Sequence, residues 1–505
     1  MTTPLRDERQ TIAPSQAAPD PAAVTVPGQP PPSPDTPPAS PTTPAAAGAP
    51  GPTGIAAELD DNRAIRRTVF GLAWPVIVEN LLQTAVGMVD LLMVSRLGAA
   101  AIAGVGIGTQ VLFVVFMSIG ALAISTTALV ARRTGEEKPA AASRVLKQSV
   151  LLALVAGVLL ALFGVPAAES LVRLLGADPE VVTLGGSYIR ITFLFSGTLV
   201  ASFVLGAGLR GAGDTRTPML AAVLINVVNI ALDYVLIFGH LGFPALGVLG
   251  SAWAAAIGRT AGAGALALLL LRPASIGRLS LLGRDGWRPD FPILTRLVRI
   301  GVPSFIEGLS RSLGFLMFST IVLGLGTTVF AAQRVVFSLM SLSFMPGFAF
   351  GIAASALTGQ ALGAKRPDRA RRSTWFAVRS AMLWMGSLAV LFFFAGPWLM
   401  LPFTNDQEIV SVGSAGLKVL AFGQPFFACS MVLAGALRGA GDTRFPMLIA
   451  GLGMWAVRLP LAWWFALGLG GGLPGAFASF ALGSAVEATI MTWRYRRGRW
   501  ADIKV

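Results

Sequence analysis

The sequence predicts an all-α integral membrane protein: twelve transmembrane helices arranged as two six-helix bundles around a central cavity. Three observations carry this. The chain is 54% hydrophobic and only 13% charged, where water-soluble domains carry about 25% charged residues. Its basic residues fall on alternate loops between apolar runs. And the second half of the chain repeats the first at a constant offset of 228 residues.

Apolar runs long enough to cross a bilayer, about 20 residues each, recur near 69–94, 102–131, 146–166, 181–208, 216–238 and 247–271. A second set lies near 293–323, 330–361, 375–396, 409–436, 445–467 and 475–494. Together they give a mean hydropathy of +0.70. The organisation that follows is a tail (1–62), a first bundle (63–272), a linker (273–292), a second bundle (293–494) and a basic tail (495–505). The first tail holds 15 of the 33 prolines, all before residue 55, and has no apolar core. It cannot bury enough surface to offset its ordering entropy, so it is expected to be disordered.

The net charge of +14 does not point to nucleic acid, because the charges sit where orientation signals sit. Arg63, Arg66 and Arg67, then Arg132, Arg133, Lys138, Arg144 and Lys147, then Arg272, Arg278, Arg284 and Arg288 mark one side. Lys365, Arg366, Arg369, Arg371 and Arg372 continue it, and Arg494, Arg496, Arg497, Arg499 and Lys504 close it; the other side offers little beyond Arg96 and Arg173. Both termini are therefore expected in the cytoplasm of a bacterial cell, with the protein in the plasma (inner) membrane. One cysteine, Cys429, excludes a disulfide framework. One histidine, His240, at a loop edge, argues against a histidine metal site or relay.

The repeat is direct. VLGAGLRGAGDTRTPML at 204–220 recurs as VLAGALRGAGDTRFPML at 432–448, with 13 of 17 positions identical. Without a gap, Pro75 falls on Pro303, Glu79 on Glu307, Gly98 on Gly326 and Gly135 on Gly363. Six helices per half place both halves in the same orientation, related by a pseudo-two-fold axis along the membrane normal. That is the plan of an alternating-access transporter. It also provides an internal control: a polar residue present in both halves points to the fold, and a costly one present in a single half points to function.

An ionisable side chain at membrane depth costs at least about 2.5–3.5 kcal/mol on insertion scales. In the first span Glu79 and Asp90 are eleven residues apart, about three turns, and share a face. In the fifth, Asn226, Asn229 and Asp233 share a face at i, i+3, i+7. Asp90, Asn229 and Asp233 map onto Phe318, Val457 and Leu461, so only the first half has them. Two carboxylates and an amide at one depth suit Na⁺, bound through hard oxygens, or a proton held by one carboxyl beside its like-charged neighbour. Other than that ion, no cofactor or resident metal is expected.

Glu79, Gln83, Asn226, Glu307, Arg311 and Arg458 are candidates to line the cavity. Glu307 has Arg311 at i+4, a pair able to neutralise itself, whereas in the first half Gln83 takes the place of Arg311 and leaves Glu79 less compensated. Arg458 maps onto Ile230, and either pairs with Glu307 or meets an anionic group of a substrate. Phe344, Met345, Phe348 and Phe350 read as a packed or lipid-facing stripe before a drug-lining one. The duplicated LRGAGDTR reads as a structural hinge. Gly211, Gly213, Gly439 and Gly441 permit a tight turn; Asp214 and Asp442 cap the next helix, and Pro218 and Pro446 suit its first turn. Arg210, Arg216, Arg438 and Arg444 read as interfacial anchors.

Several of these segments resemble the multidrug and toxic compound extrusion (MATE) family. WPVIVENLLQTAVGMVDLLMVSRLG at 74–98 is similar to its first helix, and NVVNIALDYVLIFG at 226–239 to its fifth. FMPGFAFGIAASALTGQALGAKRPDRA at 344–370 is similar to its eighth, and LRGAGDTRTP at 209–218, with its copy at 437–446, to its paired loops. The resemblance covers about residues 65–495. It implies Na⁺- or H⁺-driven export of organic cations and amphipathic drugs by a protein that is not an enzyme. It further implies that Asp90, Asn229 and Asp233 match the amino-lobe cation site of the bacterial branch named after a DNA-damage-inducible protein. Helix 6 reads GSAWAAA at 250–256, where that branch often has a threonine, which favours protons. The partners implied are a small organic substrate and membrane lipid, with no nucleic acid and a monomeric chain. Three rivals fit less well. A lipid-linked oligosaccharide flippase of the same superfamily would line its cavity with several cations. A major facilitator transporter would carry a Gly, Asp and basic signature that ARRTGEEKPAAASR lacks. A membrane enzyme would need a clustered nucleophile, base or metal site.

Overall fold

The computed structural model describes residues 62–271 and 279–503, with residues 113–118 given in backbone only. The expectation of a disordered tail therefore lies outside the described residues, as do Arg272, Arg278 and Lys504. The described chain is helical apart from short turns and the linker at 279–290. A chain in lipid has no water to satisfy its N–H and C=O groups, so each segment closes its own backbone hydrogen bonds.

The first half comprises α1 (Asn62–Ser95), α2 (Ala99–Gly135), α3 (Pro139–Leu174), a two-piece α4 (Pro179–Leu194 and Ser196–Gly211), α5 (Arg216–Phe238) and α6 (Val248–Leu270). The second comprises α7 (Phe291–Leu323), α8 (Thr327–Gly363), α9 (Pro367–Met400), α10 (Gln407–Gly439), α11 (Arg444–Gly468) and α12 (Gly472–Arg496). Ten of these helices are long and apolar enough to span a membrane, eleven when the pieces of α4 count as one. The other, α2, runs for 37 residues and contains the segment described in backbone only. Length and composition thus support ten or eleven of the twelve expected spans.

Departures from straight helices have local causes. The two pieces of α4 meet at 56°. There Ser196 Oγ donates to the carbonyls of Phe193 and Gly157, both at 2.7 Å, and Gly157 of α3 lies against Gly197; such Ser and Gly positions are where helices kink. α11 contains π-turns at Gly453–Arg458 and Trp464–Gly468, while its counterpart α5 is regular. Pro460 in α11 has no N–H for the carbonyl of residue 456 and its ring crowds that carbonyl; α5 has Leu232 at the matching place.

The repeat extends to backbone dihedrals. Positive φ occurs at Gly98 and Gly326, Glu137 and Lys365, Gly213 and Gly441, and Gly242 and Gly470, each pair 228 residues apart. At Gly213 and Gly441, φ is 93° and 91°, the left-handed region that glycine enters at little cost. The hinge motif therefore turns the same way twice. Asp214 Oδ1 then accepts from the backbone N–H of Arg216 and Thr217, both at 3.0 Å, and Asp442 Oδ1 from Phe445 at 3.3 Å, the expected caps.

The halves interlock at the end where α1 begins and α12 finishes. Ile65, Val69, Leu72 and Ala73 of α1 bury among residues of α8, α9 and α10. Symmetrically, Leu297 and Ile300 of α7 bury among residues of α2, α3, α4 and α6. At the same end α2 crosses α8 through glycine: a Cβ on Gly135 would run into the Gln360 carbonyl, and one on Gly363 into the Arg132 carbonyl. The described linker is strapped to α3 by Lys147, whose ammonium donates to the carbonyls of Leu282, Gly283 and Asp285. Gln148 adds bonds to the carbonyls of Gly286 and Arg288.

Candidate functional site

Asp90 and Asp233 come together as the sequence spacing predicts. α1 packs along α5, and the two carboxyl groups lie within interaction distance of one another. Asp233 is fully buried, and Asn229 and Asn226 are nearly so. The Asn229 amide donates to Asp233 Oδ2 at 2.9 Å, fixing one side of that carboxyl. Gly258 of α6 lets that helix close on α5: a Cβ there would lie 2.9 Å from the Ile225 carbonyl and 3.4 Å from Asn229 Cβ. Across the site, Gly108 of α2 leaves room for the Tyr188 ring, which a Cβ would meet at 2.9 Å.

Asp90 Oδ1 and Asp233 Oδ1 are both buried without a hydrogen-bond donor among the described residues, and the Asn226 amide nitrogen is without an acceptor. Two facing carboxylates, each with a bare buried oxygen, are costly in a low dielectric. A proton on one of them supplies the missing donor and removes a charge. A hard monovalent cation between them would compensate the same oxygens. Either way the site as built asks for one positive charge.

Two contributors escaped the sequence reading. Arg259 of α6 acts electrostatically on Asp90 and on Tyr188, and Tyr188 of α4 borders the pair, within hydrogen-bonding reach of Thr109. Arg259 had a usable signal: its repeat counterpart is Glu487, so both halves place an ionisable group at this depth, with opposite sign. Tyr188 had none, since an aromatic in an apolar helix is ordinarily packing.

The other candidates form ion pairs. Arg210 Nη1 donates to Glu79 Oε1 and Oε2 at 3.2 and 3.1 Å, and at the equivalent place Arg438 donates to Glu307. The reading of Arg210 and Arg438 as interfacial anchors is therefore corrected: the duplicated arginine of the hinge motif is the partner of the duplicated glutamate. Glu307 also accepts from Arg311 at 3.1 Å, as the i+4 spacing predicts. Arg458 does not meet Glu307. It pairs with Glu487 at 3.1 Å and donates to Ser484 Oγ at 3.2 Å, because α12 rather than α7 lies against that face of α11. Glu307, Arg458 and Asn226 are buried among helices rather than open to a cavity, whereas Gln83 is exposed. Phe350 packs edge-on to Phe70 at 5.8 Å, inside the interlock.

These pairs differ in depth, and that difference sets a test. Glu307 is 4% exposed and Glu79 15%. Removing one partner of a buried pair costs about 3–5 kcal/mol, because the other charge stays behind. Glu307→Gln is expected to lower the melting temperature in detergent well below wild type, and Glu79→Gln by clearly less. Equal shifts would show that burial does not set the cost.

The comparisons with known proteins agree with this architecture. The MatE family model matches residues 75–235 and 303–464, one match in each half. The chain belongs to the MatE family. MatE relatives include a protein of Thermotoga maritima named as a probable multidrug resistance protein NorM. It is 32% identical over 446 residues, covering 86% of this chain and 93% of that protein. A Rhizobium meliloti protein of the same name is 30% identical over 447 residues, covering 85% and 93%. Among solved structures, a MATE transporter in a bent conformation superposes with a TM-score of 0.81 at 24% identity. One in a straight conformation gives 0.79 at 25%; both comparisons cover 88% of this chain and 98% of the other. The chain is thus an all-helical, multi-pass membrane protein of the MatE family.

Proposed function

We propose that the protein is a secondary active antiporter that exports organic cations and amphipathic drugs in exchange for H⁺ or Na⁺ by alternating access. The observation that carries this reading is the buried Asp90–Asp233 pair. It lies in only one of two halves that share the hinge turns, their aspartate caps and the pairing of Glu79 with Arg210 and of Glu307 with Arg438, and each of its carboxyls has a bare oxygen. A fold-serving pair would be expected twice. The names of the relatives, multidrug resistance proteins, support the substrate class. Arg259 beside the pair supports protons over Na⁺: a fixed guanidinium opposes a second full cation more than it opposes a proton that converts a carboxylate to a neutral acid. A bacterial plasma membrane with cytoplasmic termini, on the distribution of basic residues, and a monomeric chain complete the proposal.

The chemistry follows from linkage. An ion moves the equilibrium between two conformations only by the difference in its affinity for them. With the ion bound, the pair is compensated where it is buried. Without it, the two carboxylates favour the conformation that wets or separates them. The experiment is efflux of a fluorescent organic cation from vesicles holding the protein, under an imposed ΔpH or ΔNa⁺. Stimulation by ΔpH is expected. Stimulation by ΔNa⁺ alone would move the coupling ion to Na⁺, and failure of both gradients to drive any organic cation would overturn the antiport reading in favour of a lipid flippase.

A further inference from the structure

The second half contains a buried charge cluster that the coupling chemistry does not use. Arg438 of α10 and Arg311 of α7 both pair with Glu307. Arg311 also acts electrostatically on Glu487 of α12, which in turn pairs with Arg458 of α11. Three guanidiniums face two carboxylates, leaving one positive charge uncompensated. Two of its arginines belong to this half alone, since Arg311 and Arg458 stand where the first half has Gln83 and Ile230.

Four observations indicate what the surplus is for. Arg458 is 1% exposed, and its Nε and Nη1 have no acceptor among the described residues. The Phe480 ring, 4.2 Å from its guanidinium carbon, covers one face. Its helix carries the π-turn of Gly453–Arg458, and such turns occur often at functional sites. Arg311 is the open end of the cluster, its side chain 32% exposed, next to Ser310, whose hydroxyl accepts from the Trp455 indole at 2.9 Å. A surplus guanidinium with unused donors in a low dielectric is stabilised by an anion, and its fork matches a carboxylate.

We infer that this cluster is an anion subsite that takes the carboxylate of an amphipathic substrate through Arg311, with Arg458 supplying the field behind it. The transporter then accepts substrates that carry a carboxylate, which the basic cluster of the second half draws in. The inference rests on the export reading for its physiological meaning, and its test uses binding, which does not depend on transport.

The probes are rhodamine 110, which carries a free carboxyl, and rhodamine 123, its methyl ester. Binding to the purified full-length protein in detergent is read by fluorescence anisotropy. Wild type is expected to bind both. Arg311→Gln is expected to weaken rhodamine 110 by about tenfold, the size of a lost charge-assisted hydrogen bond, and to leave rhodamine 123 within about twofold. Arg311→Lys, which keeps the charge without the fork, is expected to recover part of the loss. A general structural defect would weaken both dyes together. Equal losses, an unchanged rhodamine 110 affinity, or a wild type that binds only the ester would each overturn the subsite. Selective binding without efflux under either gradient would instead overturn the antiport reading and leave the subsite standing.

Discussion

Asp233→Asn is expected to abolish gradient-driven efflux while leaving a folded, substrate-binding protein. The substitution keeps the volume and the Asn229 neighbour, whose amide bonds Oδ2 of the wild-type carboxyl at 2.9 Å. An amide, however, neither takes up a proton at physiological pH nor contributes a charge to hold a cation. Once the coupling ion has no differential affinity for the two conformations, its gradient moves nothing. Efflux under imposed ΔpH is expected to fall at least about tenfold, toward the rate without a gradient. Asp90→Asn should do the same, because the bare oxygens of the two residues belong to one site. Anisotropy with rhodamine 123 should still report binding in both variants. Undiminished gradient-driven efflux in both would remove the pair from the coupling mechanism. Loss of binding together with efflux would show instead that the pair serves the fold or the substrate.

Much of this was legible before the structure. The repeat offset, read from LRGAGDTR and its copy, foretold paired tight turns, which the structure makes at Gly213 and Gly441, and the caps at Asp214 and Asp442. Depth and helical phase, read from Asp90 and from the i, i+3, i+7 spacing in α5, brought the carboxyl pair together. What sequence did not yield were partnerships between distant segments. Whether Arg458 meets α7 or α12 depends on which helix lies against that face of α11, and a π-turn moves that face by changing the residues per turn. Arg210 reads as an anchor because it follows an apolar run beside a loop. Only the packing shows its head turned inward onto Glu79. Arg259 and Glu487 stand at aligned positions with opposite sign, a signal that the repeat contains and that hydropathy alone hides.

The same pairing of halves makes a strong prediction at the glycine crossing. A valine at Gly363 would place Cβ and its methyl groups against the Arg132 carbonyl and the Gly135 backbone. Those are main-chain atoms of another helix, which cannot turn aside as a flexible side chain does. Overpacking of this kind costs about 1–3 kcal/mol or more. Where Gly135 and Gly363 touch only while this end is shut, the cost falls on that conformation alone, and about 3 kcal/mol would shift its population by roughly 100-fold. Gly363→Val is therefore expected to hold this end ajar and to stop efflux without unfolding either half. Ala131, fully buried here beside Gly359, serves as the reporter. In a Cys429→Ser background a cysteine at 131 should be protected from a membrane-impermeant maleimide applied at the end bearing the termini, and should label rapidly once Gly363→Val is added. Gly135→Val, the repeat-related change, meets the Gln360 carbonyl and should act alike. Normal efflux with unchanged labelling in both variants would mean that the crossing is not a moving contact, and that the halves separate, if at all, along another line.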